Sequence, residues 1–375
     1  MPAASLRIVA DENMPALDLF SRVGEVLARP GRAIRPADLA AADVLLVRSV
    51  TRVDADLLAG TPVRFVGSAT IGTDHIDTGW LRQAGIAFAH APGCNAMAVA
   101  EYALQAVLDW VIGRGRPLAG MRIGVLGCGN VGSRVASLFR ALGVEVLCCD
   151  PPRAQRGEPV TGGWRSLQEV LDCDVVTLHV PLVEGGDCPT RHLIGAAELA
   201  RLGPDRLLVN TCRGPVVDNQ ALLDIAPAAL PALVLDVWEH EPQVAEALFR
   251  RVRYGTPHIA GYSIEGRRRG TEMVYAALQQ WRGCPDIVPE LPPPAALWSS
   301  PVLDLADVLA LLTSRYRLAD DHAALAASLM EADTALAFDR LRKLYPPRHE
   351  LAGLHITAAV AAELRPLLSA LGVAV

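Results

Sequence analysis

Arg213, Glu241 and His258 are residues whose types could act together on a small hydroxy acid. Each lies in or just beyond an apolar, strand-like run. Arg213 follows Leu207-Leu208-Val209-Asn210-Thr211-Cys212, Glu241 follows Leu233-Val234-Leu235-Asp236-Val237-Trp238, and His258 sits in Tyr254-Gly255-Thr256-Pro257-His258-Ile259. Oxidising a 2-hydroxy acid needs a cation for the carboxylate, a base for the hydroxyl proton and a hydride acceptor. A guanidinium fork grips a carboxylate through two parallel hydrogen bonds. An imidazole titrates near neutral pH and can take the proton, and a neighbouring carboxylate favours its protonated form. Taken singly, each residue has a plainer reading: a surface ion pair for the Arg, a turn cap for the Glu before Pro242, a structural role for the His. Spacing alone does not bring the three together.

A hydride acceptor has an obvious place. Gly127-Cys128-Gly129-Asn130-Val131-Gly132 is a G-x-G-x-x-G run. The pattern alone is weak, but here it follows the apolar run Met121 to Leu126 and opens a helical segment from Val131 to Leu142. The first glycine permits the tight turn, the second lets backbone approach a pyrophosphate, and the third lets the helix pack closely. The helix start then offers free N–H groups and the positive end of its dipole. Asp150 ends the next strand-like run, Val144 to Cys149. A carboxylate there accepts both ribose hydroxyls of NAD and repels the 2′-phosphate of NADP. Arg153 and Arg156 stand close enough in sequence to moderate that repulsion.

These side chains need parallel sheets to carry them. Strand-like runs fall at Leu6–Ala10, Val44–Val47, Val63–Gly67 and Ile86–Ala89, with helix-compatible segments such as Ala16–Leu27 between them. Asn95 is placed to cap a helix reaching Ile112, because Ala100, Ala103, Leu104, Val107, Leu108 and Val111 follow the helical period. A second strand–helix series begins at Met121 and adds strands at Val175–Val180, Leu207–Asn210 and Leu233–Val237. Alternation of this kind specifies an α/β fold with parallel sheets. It fades after Trp281, where Pro285, Pro289 and Pro292-Pro293-Pro294 read as a linker to a smaller terminal unit.

At 375 residues the chain needs two or three cores, and its 51% apolar content supplies them. The net charge of −6 argues against nucleic acid or an anionic membrane as partner, and aromatic residues at 5% leave little for base stacking. Arg267-Arg268-Arg269 reads as a solvated helix end or loop. The longest uncharged run, Gln83 to Ala100, contains Pro92 and Gly93 and is not expected to span a membrane. Eight scattered cysteines without a C-x-x-C pair, and an N-terminus interrupted by Arg7, Asp11 and Glu12, point to a cytoplasmic protein with reduced thiols. His and Cys are not at ligand spacing, so no metal is expected.

The blocks Val125–Gly132, Asn210–Gly214, Leu235–Pro242 and Thr256–Gly261 resemble those of the D-specific 2-hydroxy-acid dehydrogenases, in the same order and over about residues 5–282. The resemblance implies that Arg213, Glu241 and His258 form the catalytic set. It implies NAD as cofactor, contacted by Gly127, Gly129, Asn130, Val131, Gly132, Asp150, Val180, Thr211, Cys212, Arg213, Asp236 and Gly261. It also implies two Rossmann-like doubly wound lobes, a discontinuous catalytic domain (1–93 and 257–282) and an NAD-binding domain (94–256), with the helix after Asn95 crossing between them at a hinge. Val47–Thr51, Gly67–His75, Gly261–Ser263 and Phe338–Pro346 resemble one branch of the family. That branch takes a phosphorylated short hydroxy acid and adds a C-terminal α+β dimerisation domain, here 283–375. By that likeness Ser49, Thr70 and Tyr262 contact substrate and the protein is a homodimer. Arg48 suits a phosphate on physical grounds, and His75 reads as a hydrogen-bonded core residue. Two positions depart from the pattern: Val180 stands where a Thr is common, and Arg348-His349 where two arginines are usual. If the second of those arginines reaches a neighbouring subunit's phosphate, His349 is a weaker, pH-sensitive substitute; the plainer reading is an ordinary interface residue. The alternatives are a dehydrogenase of 3-phosphoglycerate or another short 2-hydroxy acid, and an NAD-binding corepressor.

Overall fold

The computed structural model describes residues 5–284 and 295–375, so the proline-rich run 285–294 expected to be a linker lies outside the described residues. The chain forms two compact units. Met1–Asn95 and Ser263–Pro292 make the first, and Ala96–Tyr262 with Pro293–Val375 make the second.

The first unit is built on five parallel strands: β1 (Leu6–Asp11), β2 (Gly24–Arg29), β3 (Val44–Val47), β4 (Phe65–Ser68) and β5 (Ala87–His90). Their order is β2-β1-β3-β4-β5. Alternate residues enter opposite layers, as the two-residue period of a strand requires. Ile8, Leu46 and Phe65 pack on one side, while Val9, Leu45 and Val66 pack on the other. Both faces are therefore covered, which explains why these strands are apolar throughout. The helix Ile264–Trp281 covers the first face with Val274, Tyr275 and Leu278.

One expectation fails here. Ala16–Leu27 is not helical: a short 3₁₀ turn, Leu17–Arg22, is followed by strand β2. β2 is an edge strand with half of its residues exposed, so its mixed polar and apolar residues imitate an amphipathic helix. Gly24 fixes the strand, because a side chain there would sit 2.1 Å from the Leu6 carbonyl oxygen.

The second unit carries six parallel strands: β6 (Arg122–Leu126), β7 (Glu145–Cys149), β8 (Val175–Leu178), β9 (Leu207–Asn210), β10 (Ala232–Leu235) and β11 (Tyr254–Gly255). The order is β11-β10-β9-β8-β6-β7. In both sheets the strand order reverses beside the first strand of the unit, and such a reversal opens a crevice at the carboxyl ends of the strands.

The helix Ala96–Gly113 is long and apolar enough to cross a membrane by composition, yet most of it is buried within the second unit. Two of its buried polar residues bond C-terminal backbone. Glu101 accepts from the Leu351 N–H at 2.8 Å, and Gln105 bonds both the Tyr316 carbonyl and the Leu318 N–H at 3.0 Å. Asn95 does not cap this helix, because its side-chain oxygen has no hydrogen-bond partner.

The C-terminal segment contains a parallel pair, β12 (Ala296–Trp298) and β13 (Leu354–Ile356), and the helices Leu305–Thr313, Leu318–Ser328, Thr334–Lys343 and Arg365–Ala370. Leu311, Leu367 and Leu371 join the core on one side of the β6–β11 sheet, while Leu325 and Phe338 join the other. With apolar residues entering both layers, the segment is part of the second unit.

Candidate active site

Backbone sterics shape the glycine loop after β6. Gly127 has φ +81°, a conformation that favours glycine. A Cβ on Gly132 would lie 1.9 Å from the Gly127 carbonyl oxygen, so only glycine lets the helix Asn130–Ala141 start this close to the strand. Gly129 faces open space, and no side chain caps the helix start. The loop thus presents uncapped N–H donors beside free room, which fits a dinucleotide's pyrophosphate. Asn130 and Val131 form the first turn of that helix.

Asp150 follows β7 and turns toward the loop, accepting from the Cys128 N–H at 2.8 Å. The two arginines expected to moderate its charge are both engaged by Glu158: Arg153 at 2.5 Å and Arg156 at 2.7 Å. Val180, after β8, packs against Gly127. The neighbouring Thr177 and Thr211 hydroxyls both bond His179, at 2.9 and 3.4 Å, and burial pushes that imidazole down to about 3. His179 is therefore neutral at working pH. Cys212 is buried, and Asn210 shapes its turn by bonding the Cys212 N–H and the Arg213 carbonyl.

His258 and Glu241 meet, with Nδ1 2.8 Å from Oε2. The other Glu241 oxygen accepts from the Trp238 N–H at 2.8 Å. Burial alone would raise the Glu241 carboxyl, but His258, the Trp238 N–H and the Arg342 guanidinium together hold it below its ordinary value. It stays a carboxylate against Nδ1, an arrangement that suits Nε2 to exchange a proton with a bound hydroxy acid. Arg213 stands just past β9, half-buried, and its Nη1 donates to the Cys212 carbonyl at 2.6 Å. The following Gly214 lies against the Trp238–Glu239 backbone, where a Cβ would come within 1.9 Å of the Trp238 carbonyl oxygen. That contact sets the Arg213 turn beside the loop that carries Glu241.

His258 has φ +57°, uncommon for any residue but glycine. Asp236 holds it there. The Asp236 carbonyl accepts from the His258 N–H at 2.7 Å, and the buried carboxylate accepts from Ile259 N–H, Ala260 N–H and the Thr256 hydroxyl at 2.6–2.9 Å. Thr256 is bonded in turn by Tyr102 at 2.7 Å. Asp236, expected beside the nicotinamide, is buried as the pedestal of the histidine turn. Gly261 and Tyr262 complete that turn, and the Tyr262 N–H donates to the Ile259 carbonyl.

Two arginines of the C-terminal segment also belong to this site. Arg348 is buried, with its guanidinium 3.4 Å above the Tyr316 ring. It donates to the Ile259, Ala260 and Ala98 carbonyls. Buried in this way within its own chain, it is not available to a neighbouring subunit; His349 is half-buried. Arg342 lies 5.8 Å from the centre of the Tyr262 ring and acts on Glu241. Both lie far from the catalytic blocks in sequence, and no spacing rule links them.

Arg48, Ser49 and Thr70 belong to the first unit, at the carboxyl ends of β3 and β4. Ser49 is exposed, and Thr70 bonds Ser68 and the Gly72 carbonyl. His75 bonds Ser68 at 3.0 Å and is half-buried. Among the described residues one group has metal-ligand spacing: His192, Asp218 and Glu239. Its two imidazole nitrogens face different carboxylates, at 2.6 Å from Glu239 and 3.8 Å from Asp218. Those carboxylates also bond backbone N–H groups, so the group ties loops together.

A glycine-rich strand–helix turn, an acidic residue closing the next strand and a Glu–His pair on parallel sheets mark an NAD-dependent dehydrogenase. Residues 101–260 match the family model "D-isomer specific 2-hydroxyacid dehydrogenase, NAD binding domain". The structure is similar to that of the TT0316 protein from Thermus thermophilus, with a TM-score of 0.62, 26% identity, and coverage of 73% of this chain and 97% of that one. The sequence is 48% identical to erythronate-4-phosphate dehydrogenase of Pseudomonas aeruginosa, over 98% of this chain and 99% of the relative. It is 46% identical to that of Marinobacter nauticus, over 93% and 94%. The chain belongs to the erythronate-4-phosphate dehydrogenase family. Its cofactor is NAD.

Two outcomes are expected. Asp150→Ala removes charge-assisted hydrogen bonds worth about 1.5–3 kcal/mol, so NAD should bind about 10- to 100-fold more weakly while NADP binding holds or improves. Fluorescence titration with both dinucleotides measures this, and equal losses would contradict the ribose role. Glu241→Gln removes the carboxylate that faces His258 Nδ1, so turnover should fall on the order of 100-fold while NAD affinity holds. Unchanged turnover in steady-state assays would remove Glu241 from this role.

Proposed function

We propose that the protein oxidises 4-phospho-D-erythronate at C2 to 2-oxo-3-hydroxy-4-phosphobutanoate, a step of pyridoxal 5′-phosphate synthesis. The observation that carries this reading is 48% identity to a protein of that activity over 98% of the chain.

NAD, when bound, supplies the two-electron acceptor that takes the C2 hydride. The rest is the work of the chain. Arg213 holds the substrate carboxylate through its fork and so orients C2. His258 Nε2 takes the C2 hydroxyl proton as the carbonyl forms. Glu241 stabilises the resulting imidazolium through Nδ1 at 2.8 Å. Asp236 keeps the imidazole in place. Arg48, Ser49 and Thr70 receive the phosphorylated end, and Tyr262 packs beside the substrate.

Several large apolar side chains of the C-terminal segment are exposed, among them Met330 (80%), Leu297 (76%) and Leu344 (68%). We propose that a second copy of the chain covers them, giving a homodimer. All eight cysteines are free thiols, which suits a cytoplasmic location.

Steady-state kinetics with NAD and a 2-oxo-acid acceptor should give a kcat/KM for 4-phosphoerythronate at least tenfold above that for 3-phosphoglycerate, a difference of about 1.4 kcal/mol in transition-state binding. Equal or reversed values would defeat the substrate assignment and leave the dehydrogenase class standing. Light scattering at micromolar concentration should report a dimer that Met330→Glu weakens, and a monomeric wild type would defeat the assembly.

A further inference from the structure

Arg267, Arg268 and Arg269 stand in the first two turns of the helix Ile264–Trp281 of the first unit, and each has a different destination. Arg268 pairs with Glu272 one turn along, at 2.6 Å. Arg269 donates to the Cys94 carbonyl at 2.8 Å. Arg267 donates from Nη2 to the Asn13 carbonyl at 3.0 Å, and the same oxygen receives Nη1 of Arg48 at 3.3 Å. Two guanidiniums thus converge on one oxygen, within two hydrogen-bond lengths of each other. The shared carbonyl positions the two cations side by side.

The place of this pair matters more than its charge. Asn13 lies just past β1, in a turn fixed by Asp11, whose carboxylate accepts the Asn13 N–H and side-chain amide at 2.9 and 3.0 Å. Arg48 lies just past β3. β1 and β3 are adjacent, and the strand order reverses between them. Ligands of open parallel sheets bind in the crevice outside the carboxyl ends at such a reversal. Ser49 and Thr70 stand at the same edge, on the loops after β3 and β4. Arg267 comes from a helix whose own start is already capped by the Ser263 hydroxyl on the Gly266 N–H at 2.9 Å, so the anion-binding capacity here lies in side chains.

We infer that Arg267 is the second arm, with Arg48, of a clamp for the phosphate of the substrate. This rests on the reading that the substrate is phosphorylated. A phosphate monoester carries close to two negative charges at neutral pH and presents three strong acceptor oxygens. Two planar forks can each take a pair of those oxygens, which one arginine cannot do alone. Arg267 then contributes to discrimination between phosphorylated and unphosphorylated hydroxy acids and takes no part in hydride transfer.

The test compares 4-phosphoerythronate with unphosphorylated D-erythronate in the full-length wild type, Arg267→Gln, Arg267→Lys and the control Arg268→Gln. Arg267→Gln should lower kcat/KM for the phosphorylated acid about 10- to 100-fold, the loss of a charged hydrogen bond. Its kcat/KM for D-erythronate and its NAD affinity should stay within about twofold of wild type. Inorganic phosphate should inhibit wild type competitively and the variant more weakly. Arg267→Lys, which keeps the charge without the fork, should fall between, and Arg268→Gln should match wild type. If wild type does not prefer the phosphorylated acid, the phosphorylated-substrate reading fails and the clamp with it. If wild type prefers it but Arg267→Gln or Arg267→Lys loses both substrates equally, the clamp alone fails.

Discussion

His258 meets Glu241 only because its ring is held, and the ring sits on a backbone conformation that a non-glycine residue resists. The left-handed φ of +57° at His258 costs roughly 1–2 kcal/mol, so the surrounding structure must over-determine it. Asp236 does so from one side by accepting backbone N–H groups from His258, Ile259 and Ala260. Arg348 does so from the other by donating to the carbonyls of Ile259 and Ala260. A carboxylate on the N–H groups and a guanidinium on the carbonyls leave the turn little freedom. Burial pushes the Asp236 carboxyl up, and His258, the Thr256 hydroxyl and the two N–H groups oppose that shift. The pedestal is therefore stable only while its donors stay in place.

The cofactor side obeys a steric constraint of a different kind. Gly127 turns the chain and Gly132 admits the helix, while Gly129 meets no neighbouring atom that would exclude a side chain. Packing therefore explains the outer glycines and leaves the middle one with open backbone, room that suits a pyrophosphate. Asp150 completes the arrangement by accepting from the Cys128 N–H, which sets its carboxylate against the glycine loop.

How much of this could be read from the sequence follows from the range of each interaction. The glycine loop, Asp150 and most inner strands were legible because they rest on local sterics and continuous apolar runs. β2 was not, because an edge strand with alternating exposure looks like one face of a helix. The Asn95 cap was expected on residue preference alone, and the side chain found no donor. Glu241 and His258 were recognisable as a set through family blocks, and their contact at 2.8 Å is a tertiary fact. Arg342 and Arg348 had no local signature. The triple arginine was read as a solvated run, yet Arg267 and Arg269 bond backbone carbonyls elsewhere in the first unit.

The C-terminal segment is best understood through the polar groups it shares with the NAD-binding sheet. Glu101 and Gln105 would be costly on a buried helix face without partners, and residues 316, 318 and 351 supply those partners. Arg348 would be equally costly alone, and the carbonyls of Ala98, Ile259 and Ala260 receive it. Each side therefore satisfies groups that the other must bury. Removing the segment would expose apolar core and also orphan the Glu101 carboxylate and the Gln105 amide. A segment bound in this way acts as a second wall of the histidine pedestal. The network that holds the His258 turn therefore runs from Tyr102 through Thr256 to Asp236 and closes through Arg348.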